Sequence, residues 1–253
     1  MHVLIVLAHP EPRSFNGVLA RTAVAALESA GHEVQVSDLY AMEFKATADA
    51  ADFDGELEDP LYFRLDREQT AAHARGGLAA DIVAEQDKIG WADLVVLQFP
   101  MWWFGPPAIL KGWADRVFTR GFAYLPGRKY DTGMLAGKLA MVSVTTGTSA
   151  DTYAPDGIDG ALLDVLWPVH NGLLRYSGFD VLEPFVTYAP RAADEEQRRR
   201  QLKLWRQRLL HLERVPRLFF HPRSDYGADE RLRAEVAPRS GFQHAVSDRL
   251  RET

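Results

Sequence analysis

Short apolar runs alternate with longer amphipathic stretches along this chain, and two of the runs contain no polar side chain at all. Residues 3–7 and 94–97 are continuously apolar, which suits a parallel strand with helices covering both faces. The candidate strands are 2–8, 33–39, 93–99, 138–146 and 180–188, and the candidate helices are 15–30, 78–91, 106–119, 159–177 and 194–213. Five β-α units of this kind predict an α/β fold, a doubly wound five-stranded parallel sheet with helices on both faces. The last helix opens on Asp194 with Gln197 three residues later, a capping-box pair, and its Leu202, Trp205, Leu209 and Leu212 share one side. Gly178 should end the helix before it. Pro106 and Pro107 should stop the third strand and sit in the first turn of the next helix. Residues 40–77 form a long excursion between strands two and three.

Composition narrows the function. With 253 residues the chain has ample material for a core, and the pattern divides it into one α/β domain over 1–214 and a weakly patterned extension over 215–253. A net charge of −6 argues against a nucleic-acid binder, because such proteins carry a basic face. The absence of cysteine excludes disulfides, thiol nucleophiles and cysteine-ligated metals. Residues 1–8 lack a basic segment and a cleavage site, so they read as a strand rather than a signal peptide. No run approaches the roughly 18–20 apolar residues of a membrane helix. The expectation is a soluble, cytoplasmic protein with no integral membrane segment and no nucleic-acid partner.

In open α/β sheets ligands bind beyond the carboxyl ends of the strands. No Gly-x-Gly occurs, nor a Walker loop, a Gly-x-Ser-x-Gly elbow or a His-Glu-x-x-His pair. No two histidines lie within four residues of each other, so no helical zinc pair exists and no metal is expected. After strand one, "AHPEPRSFNG" brings His9, Ser14, Phe15 and Asn16 to a helix start. Free amides there make an anion site, and simple N-capping by Ser14 or Asn16 explains the same residues. After strand four, "TTGTSADTYAPDGIDG" offers Thr145, Thr146 and Gly147 as polar donors, with Tyr153 and Asp159 able to handle a proton. An ordinary Ser/Thr/Gly-rich loop accounts for those residues equally well.

Taken in order, "LIVLAHPEPRSFN", "ADLVVLQFPMWWFGPPAILKGWADRVF", "SVTTG" and "LWPVHNGLLRYSGFDVLEP" carry a resemblance. Over about residues 3–213 the chain resembles the NAD(P)H:quinone oxidoreductase (DT-diaphorase) family of flavodoxin-like flavoproteins. The resemblance implies a homodimer with active sites at the subunit interface, non-covalent FAD rather than FMN, and two-electron reduction of quinones by NAD(P)H in a ping-pong cycle. It implies that His9, Ser14, Phe15 and Asn16 hold the pyrophosphate and ribityl chain, with Arg198 and Leu202 near the adenosine. Pro100, Met101, Trp102, Trp103 and Phe104 would line the flavin ring, and Thr145, Thr146 and Gly147 would bond its polar edge. Tyr153 would lie beside the pyrimidine side. Trp103, Phe104, Gly147 and Thr148 would shape the substrate pocket, with Tyr124 and Tyr176 closing over the ring from the second subunit.

Some positions depart from that family's pattern. Asp159 stands where its best-known members pair the tyrosine with a histidine, so Tyr153 is expected to carry the stabilisation of charge. Thr148 replaces a second glycine and should narrow the pocket. Arg13 and Arg64 replace smaller or neutral residues; Arg64 is expected to be solvated, and Arg13 either solvated or on a phosphate. Other readings are a reductase of azo or nitro compounds, an enzyme with an unusual hydride donor, a flavin-bearing regulatory subunit of a potassium-efflux transporter, and a flavodoxin-like electron carrier.

Overall fold

Apolar runs that must be covered on both sides line up as neighbours in one parallel sheet. The computed structural model describes residues 1–239, and the remainder of the expected extension, residues 240–253, lies outside the described residues. The strands are β1 (His2–Leu7), β2 (Glu33–Asp38), β3 (Leu94–Pro100), β4 (Leu139–Thr145), β5 (Asp180–Val181) and β6 (Phe185–Thr187). Their order is β2-β1-β3-β4-β5, every pairing is parallel, and β6 lies farther along β4. This is the doubly wound, flavodoxin-like arrangement, with the order reversing between β1 and β3.

The fifth strand is interrupted, where the sequence pattern predicts a continuous run over 180–188. Pro184 has no N–H to give to a ladder. The Glu183 N–H instead reaches Pro216 O at 2.8 Å, the Leu218 N–H reaches Val181 O at 2.8 Å, and Leu182 bridges Arg217. The start of the extension therefore runs antiparallel along β5, and Leu218 and Phe220 pack on the core.

Helices cover the two faces. On one, α1 (Phe15–Ser29) and α7 (Glu195–Leu210) press Leu19, Leu27, Trp205 and Leu209 onto Val3, Ile5, Leu94, Val96 and Met141. Trp205 is fully buried and its indole N–H donates to Leu19 O at 3.0 Å, as a buried indole requires. Leu202 and Leu212 pack at the margin of the same cluster, and the Asp194–Gln197 capping box forms as predicted. On the other face, α3 (Ala80–Trp91) and α4 (Ala108–Val117) bury Ile89, Leu110, Trp113 and Val117 against Val95, Leu97 and Val142. Each such aliphatic side chain contributes about 1.5–3 kcal/mol on burial. Pro107 is the N-cap of α4, so both prolines precede the helix rather than occupy its first turn.

The excursion over 40–77 contains α2 (Leu65–Arg75), which its polar sequence does not announce. Buried Arg116 fastens the excursion's first part, bonding Asp52 Oδ1 at 3.0 Å, Lys45 O at 3.0 Å and Asp81. Arg120 then pairs with Asp66 of α2 at 3.1 Å.

The helix predicted over 159–177 is broken into α5 (Leu162–Val165), α6 (Trp167–Val169) and a π-turn over His170–Arg175. Pro168 supplies no N–H and cannot continue the ladder from the preceding turn. Gly178 ends the segment at φ +109°, and a Cβ there would lie 2.8 Å from Ala136 N.

Candidate active site

Beyond the carboxyl ends of β1, β3 and β4 lies a cavity of about 810 Å³, at the point where the strand order reverses. The loop after β1 contributes His9, Ser14, Phe15 and Asn16; the end of β3 contributes Pro100, Met101 and Trp102; the end of β4 contributes Thr145, Thr146 and Gly147. Arg198 and Leu202 of α7 complete it. These twelve residues line one cavity.

Local physics sets each one. Ser14 caps α1, its hydroxyl accepting the Gly17 N–H at 3.2 Å. Among the described residues the N–H groups of Phe15 and Asn16 have no acceptor, so the helix start presents free donors and its positive dipole end to the cavity. Asn16 is not a cap. Its side chain is buried and turns down to Thr145 Oγ1, 2.9 Å away. The His9 ring is held by the backbone of its own loop, with Nδ1 3.0 Å from the Glu11 N and 3.2 Å from Glu11 O, so that Nε2 is the ring nitrogen left without a partner in the loop. Gly17 is required because a Cβ would come within 2.1 Å of Pro12 O.

The loop after β3 is strained. Trp102 and Gly105 exchange two backbone hydrogen bonds, of 2.9 and 3.1 Å, around Trp103 and Phe104. Both central residues have positive φ, +51° and +60°, as a type I′ turn demands. Asn-Gly suits those positions; two bulky aromatics cost of order 1–3 kcal/mol each. The Met101 N–H is already bonded to Thr145 O at 2.7 Å, and among the described residues only the Trp103 and Phe104 amides of this loop stay free. Within the single chain Trp103 and Phe104 do not line the cavity: Trp103 is 98% exposed and Phe104 52%.

Tyr153 is buried near Tyr188, their ring centres 6.2 Å apart. Burial raises its hydroxyl pKa, a hydrogen bond with Thr148 opposes the rise, and the Asp159 charge adds to it, so the phenol remains a donor. The Thr148 hydroxyl donates to Asp159 Oδ2 at 3.1 Å and accepts from the Thr152 hydroxyl at 2.8 Å. Thr148 thus stands between the two groups expected to handle protons. Tyr124 and Tyr176 pack edge to face, 5.4 Å apart, and line a separate cavity of about 510 Å³ with Pro106 and Leu110.

Several cavity residues are not named by sequence reasoning. Arg191, Arg199 and Glu195 line it together with Arg13 and Arg198. Four arginines and one glutamate make this mouth basic in a chain of net charge −6. Arg13 is held by Glu11, with its Nε 2.9 Å from Oε1, and that pairing lowers the Glu11 carboxyl to about 2. Arg64 is half-exposed, 4.0 Å from Asp66. No cluster that could hold a metal ion exists among the described residues, and no helix among them is long and apolar enough to cross a membrane.

Comparison with known proteins agrees with this geometry. A family model described as "Flavodoxin-like fold" matches residues 1–209. The chain is 49% identical over 208 residues to the ribosyldihydronicotinamide dehydrogenase [quinone] of Homo sapiens, covering 82% of this chain and 90% of that protein. It is 45% identical over 221 residues to NAD(P)H dehydrogenase [quinone] 1 of Cavia porcellus, covering 87% and 80%. A solved structure from Klebsiella pneumoniae, described as a candidate quinone reductase, superposes with a TM-score of 0.91 at 44% identity, covering 96% of this chain and 98% of that one. A protein with this sheet order, this cavity at its switch point and these relatives belongs to the NAD(P)H:quinone oxidoreductase (DT-diaphorase) family of flavodoxin-like proteins.

Proposed function

We propose that the chain is an FAD-dependent NAD(P)H:quinone oxidoreductase that works as a homodimer through a ping-pong cycle. Family membership makes it an NAD(P)H dehydrogenase acting on quinones; the form of the flavin, the cycle and the assembly are the proposal. The observation that carries it is the cavity of about 810 Å³ with a helix start at one wall and four arginines at its mouth. Free amides, an imidazole and guanidinium groups are what a pyrophosphate needs, and a cavity of about 810 Å³ lined from Thr145 to Arg198 and Leu202 of α7 favours a dinucleotide over FMN. A bound flavin would supply the means of hydride transfer between the nicotinamide and the quinone that replaces it.

This chain's own residues bind and orient. Phe15 and Asn16 would donate to the phosphate end beside His9, and Arg198 would steady the adenosine side. Thr145, Thr146 and Gly147 would bond the polar edge of the ring, and the free amides of Trp103 and Phe104 belong to the turn that directly follows the lining residue Trp102. Tyr153 keeps its proton and donates where negative charge develops, while Asp159 and Thr148 orient it. Tyr124, Tyr176, Trp103 and Phe104 form the substrate wall when a second copy closes the site. Exposed Leu61, Trp103 and Ile158, at 94–98%, support that second copy.

One observation favours a second reading of the hydride donor. Relatives named for ribosyldihydronicotinamide reach 50% identity, against 45% for one named for NAD(P)H. The experiment is mass analysis of flavin released from purified protein, followed by oxidation of NADH, NADPH and dihydronicotinamide riboside with menadione as acceptor. Sedimentation then tests for the dimer. Recovery of no flavin, or of FMN alone, overturns the FAD reading.

A further inference from the structure

The sheet face beneath α1 and α7 is apolar until its last layer. Val3, Ile5, Leu94, Val96, Met141 and Phe185 fill it. Gln98, Ser143, Thr145 and Thr187 belong to the same face, because side chains alternate along a strand and Gln98 pairs with Ser143 while Thr145 pairs with Thr187. All four are at most 5% exposed. A glutamine in such a layer is costly unless its amide is bonded.

Gln98 Nε2 donates to Asn16 Oδ1 at 2.8 Å, and Asn16 Nδ2 donates to Thr145 Oγ1 at 2.9 Å. Asn16 and Thr145 line the cavity, and Gln98 lies behind them. With one lone pair taken by Asn16, the Thr145 hydroxyl has its hydrogen free to donate outward. Turning both amides over keeps both bonds and reverses them. Thr145 then donates to Asn16, Asn16 donates to Gln98, and the hydroxyl offers a lone pair to the cavity instead. One end of the Gln98 amide faces no partner in either arrangement, as its Oε1 does here, so the surroundings leave the direction to be set by the ligand.

We propose that Gln98 is a positioning residue that, through Asn16, governs whether Thr145 meets the bound ligand as a donor or as an acceptor. This rests on the reading of the cavity as a flavin site. The oxidised and reduced forms of a flavin differ in which ring atoms donate and which accept. A wall group of reversible polarity therefore bears on the balance between them.

The test measures flavin affinity and midpoint potential for wild type, Gln98→Met, Thr145→Val, the double variant and Ser143→Ala. Gln98→Met should change the ratio of affinities for the two oxidation states about 5- to 10-fold, the effect of one directed hydrogen bond. For a two-electron couple that is about 20–30 mV. Ser143→Ala, equally buried but outside the relay, should leave the potential unchanged. Adding Gln98→Met to Thr145→Val should produce no further shift. Additive shifts, or a Gln98→Met potential equal to wild type, overturn the proposal. In flavin-free protein, Gln98→Met should move the side-chain amide resonances of Asn16, and Ser143→Ala should not. Protein that binds neither FAD nor FMN ends the flavin reading, whereas unmoved Asn16 resonances end the relay. If Gln98→Met does not fold, Thr145→Val carries the same resonance test, read at the Gln98 side-chain amide.

Discussion

Asn16, in the first turn of α1, donates a 2.9 Å hydrogen bond to the hydroxyl of Thr145, 129 residues farther along the chain. The bond joins the start of α1 to the end of β4, so two walls of the cavity are tied by one contact.

Replacing Asn16 with leucine strands the Gln98 amide in a dry layer. Urea denaturation of flavin-free protein should register a loss of about 1–3 kcal/mol, the usual cost of an orphaned buried donor. Stability equal to wild type would show that the bond organises nothing.

Gly17→Ala tests how closely the first loop must lie on α1. The new methyl would sit 2.1 Å from Pro12 O, so the 9–14 loop has to lift away. Flavin binding should weaken at least tenfold, about 1.4 kcal/mol, with circular dichroism unchanged. Wild-type affinity, measured by fluorescence titration, would refute the assignment of this loop.

The turn at Trp103 and Phe104 exchanges stability for an aromatic wall. Trp103→Asn with Phe104→Gly puts favoured residues at both positive-φ positions and should stabilise the chain by about 1–3 kcal/mol. The same change should lower kcat/KM for a quinone. A variant both more stable and fully active would mean that the strain serves no purpose at this site.

Tyr153 and Asp159 should separate in stopped-flow reduction by NADPH. Tyr153→Phe removes a buried donor and should slow flavin reduction by about tenfold or more. Asp159→Asn keeps an acceptor for the Thr148 hydroxyl and should change it only a few-fold. The reverse ranking would transfer the role to the carboxylate.

Buried His170 gives an acid limb to the stability. It is 1% exposed, and burial lowers its pKa from 6.5 to about 4. The unfolded chain takes up this proton before the folded one does. Stability is therefore whole above pH 6.5, falls as pH drops from 6.5 towards 4, and levels off below. The total is up to about 3 kcal/mol. His170→Gln should flatten that limb when denaturation is followed across pH; an unaltered slope would assign it to other groups.

The parts that lie open in the sequence are those where a local pattern has one physical solution. Residues 3–7 and 94–97 suit strands covered on both sides, and Asp194 with Gln197 suits a helix start. The clustering of His9, Asn16, Met101 and Thr145 follows from their places at strand ends. What stays hidden depends on distant partners. Helix α2 has too few apolar residues to declare itself and is held by Arg120. The fifth strand keeps its β pattern through Pro184, and only the backbone of 216–218 reveals the break. Gln98 carries a signal, a single amide inside an otherwise apolar strand, but its meaning needs Asn16 beside it. That Trp103 and Phe104 face outward is a property of the turn's dihedral angles, which no side-chain pattern encodes.

The antiparallel run of residues 216–218 along β5 has a consequence for solution behaviour. A sheet whose outermost ladder is open invites another chain to add a strand, and that is a route to aggregation. Here the chain supplies its own border: Val181 O and the Glu183 N–H are both occupied by the segment that follows α7. Truncation after Arg214 would unmask that border and bare the apolar patch beneath Leu218 and Phe220. The shortened protein should keep its cavity yet self-associate with rising concentration, so this stretch acts as a guard on the sheet's free margin.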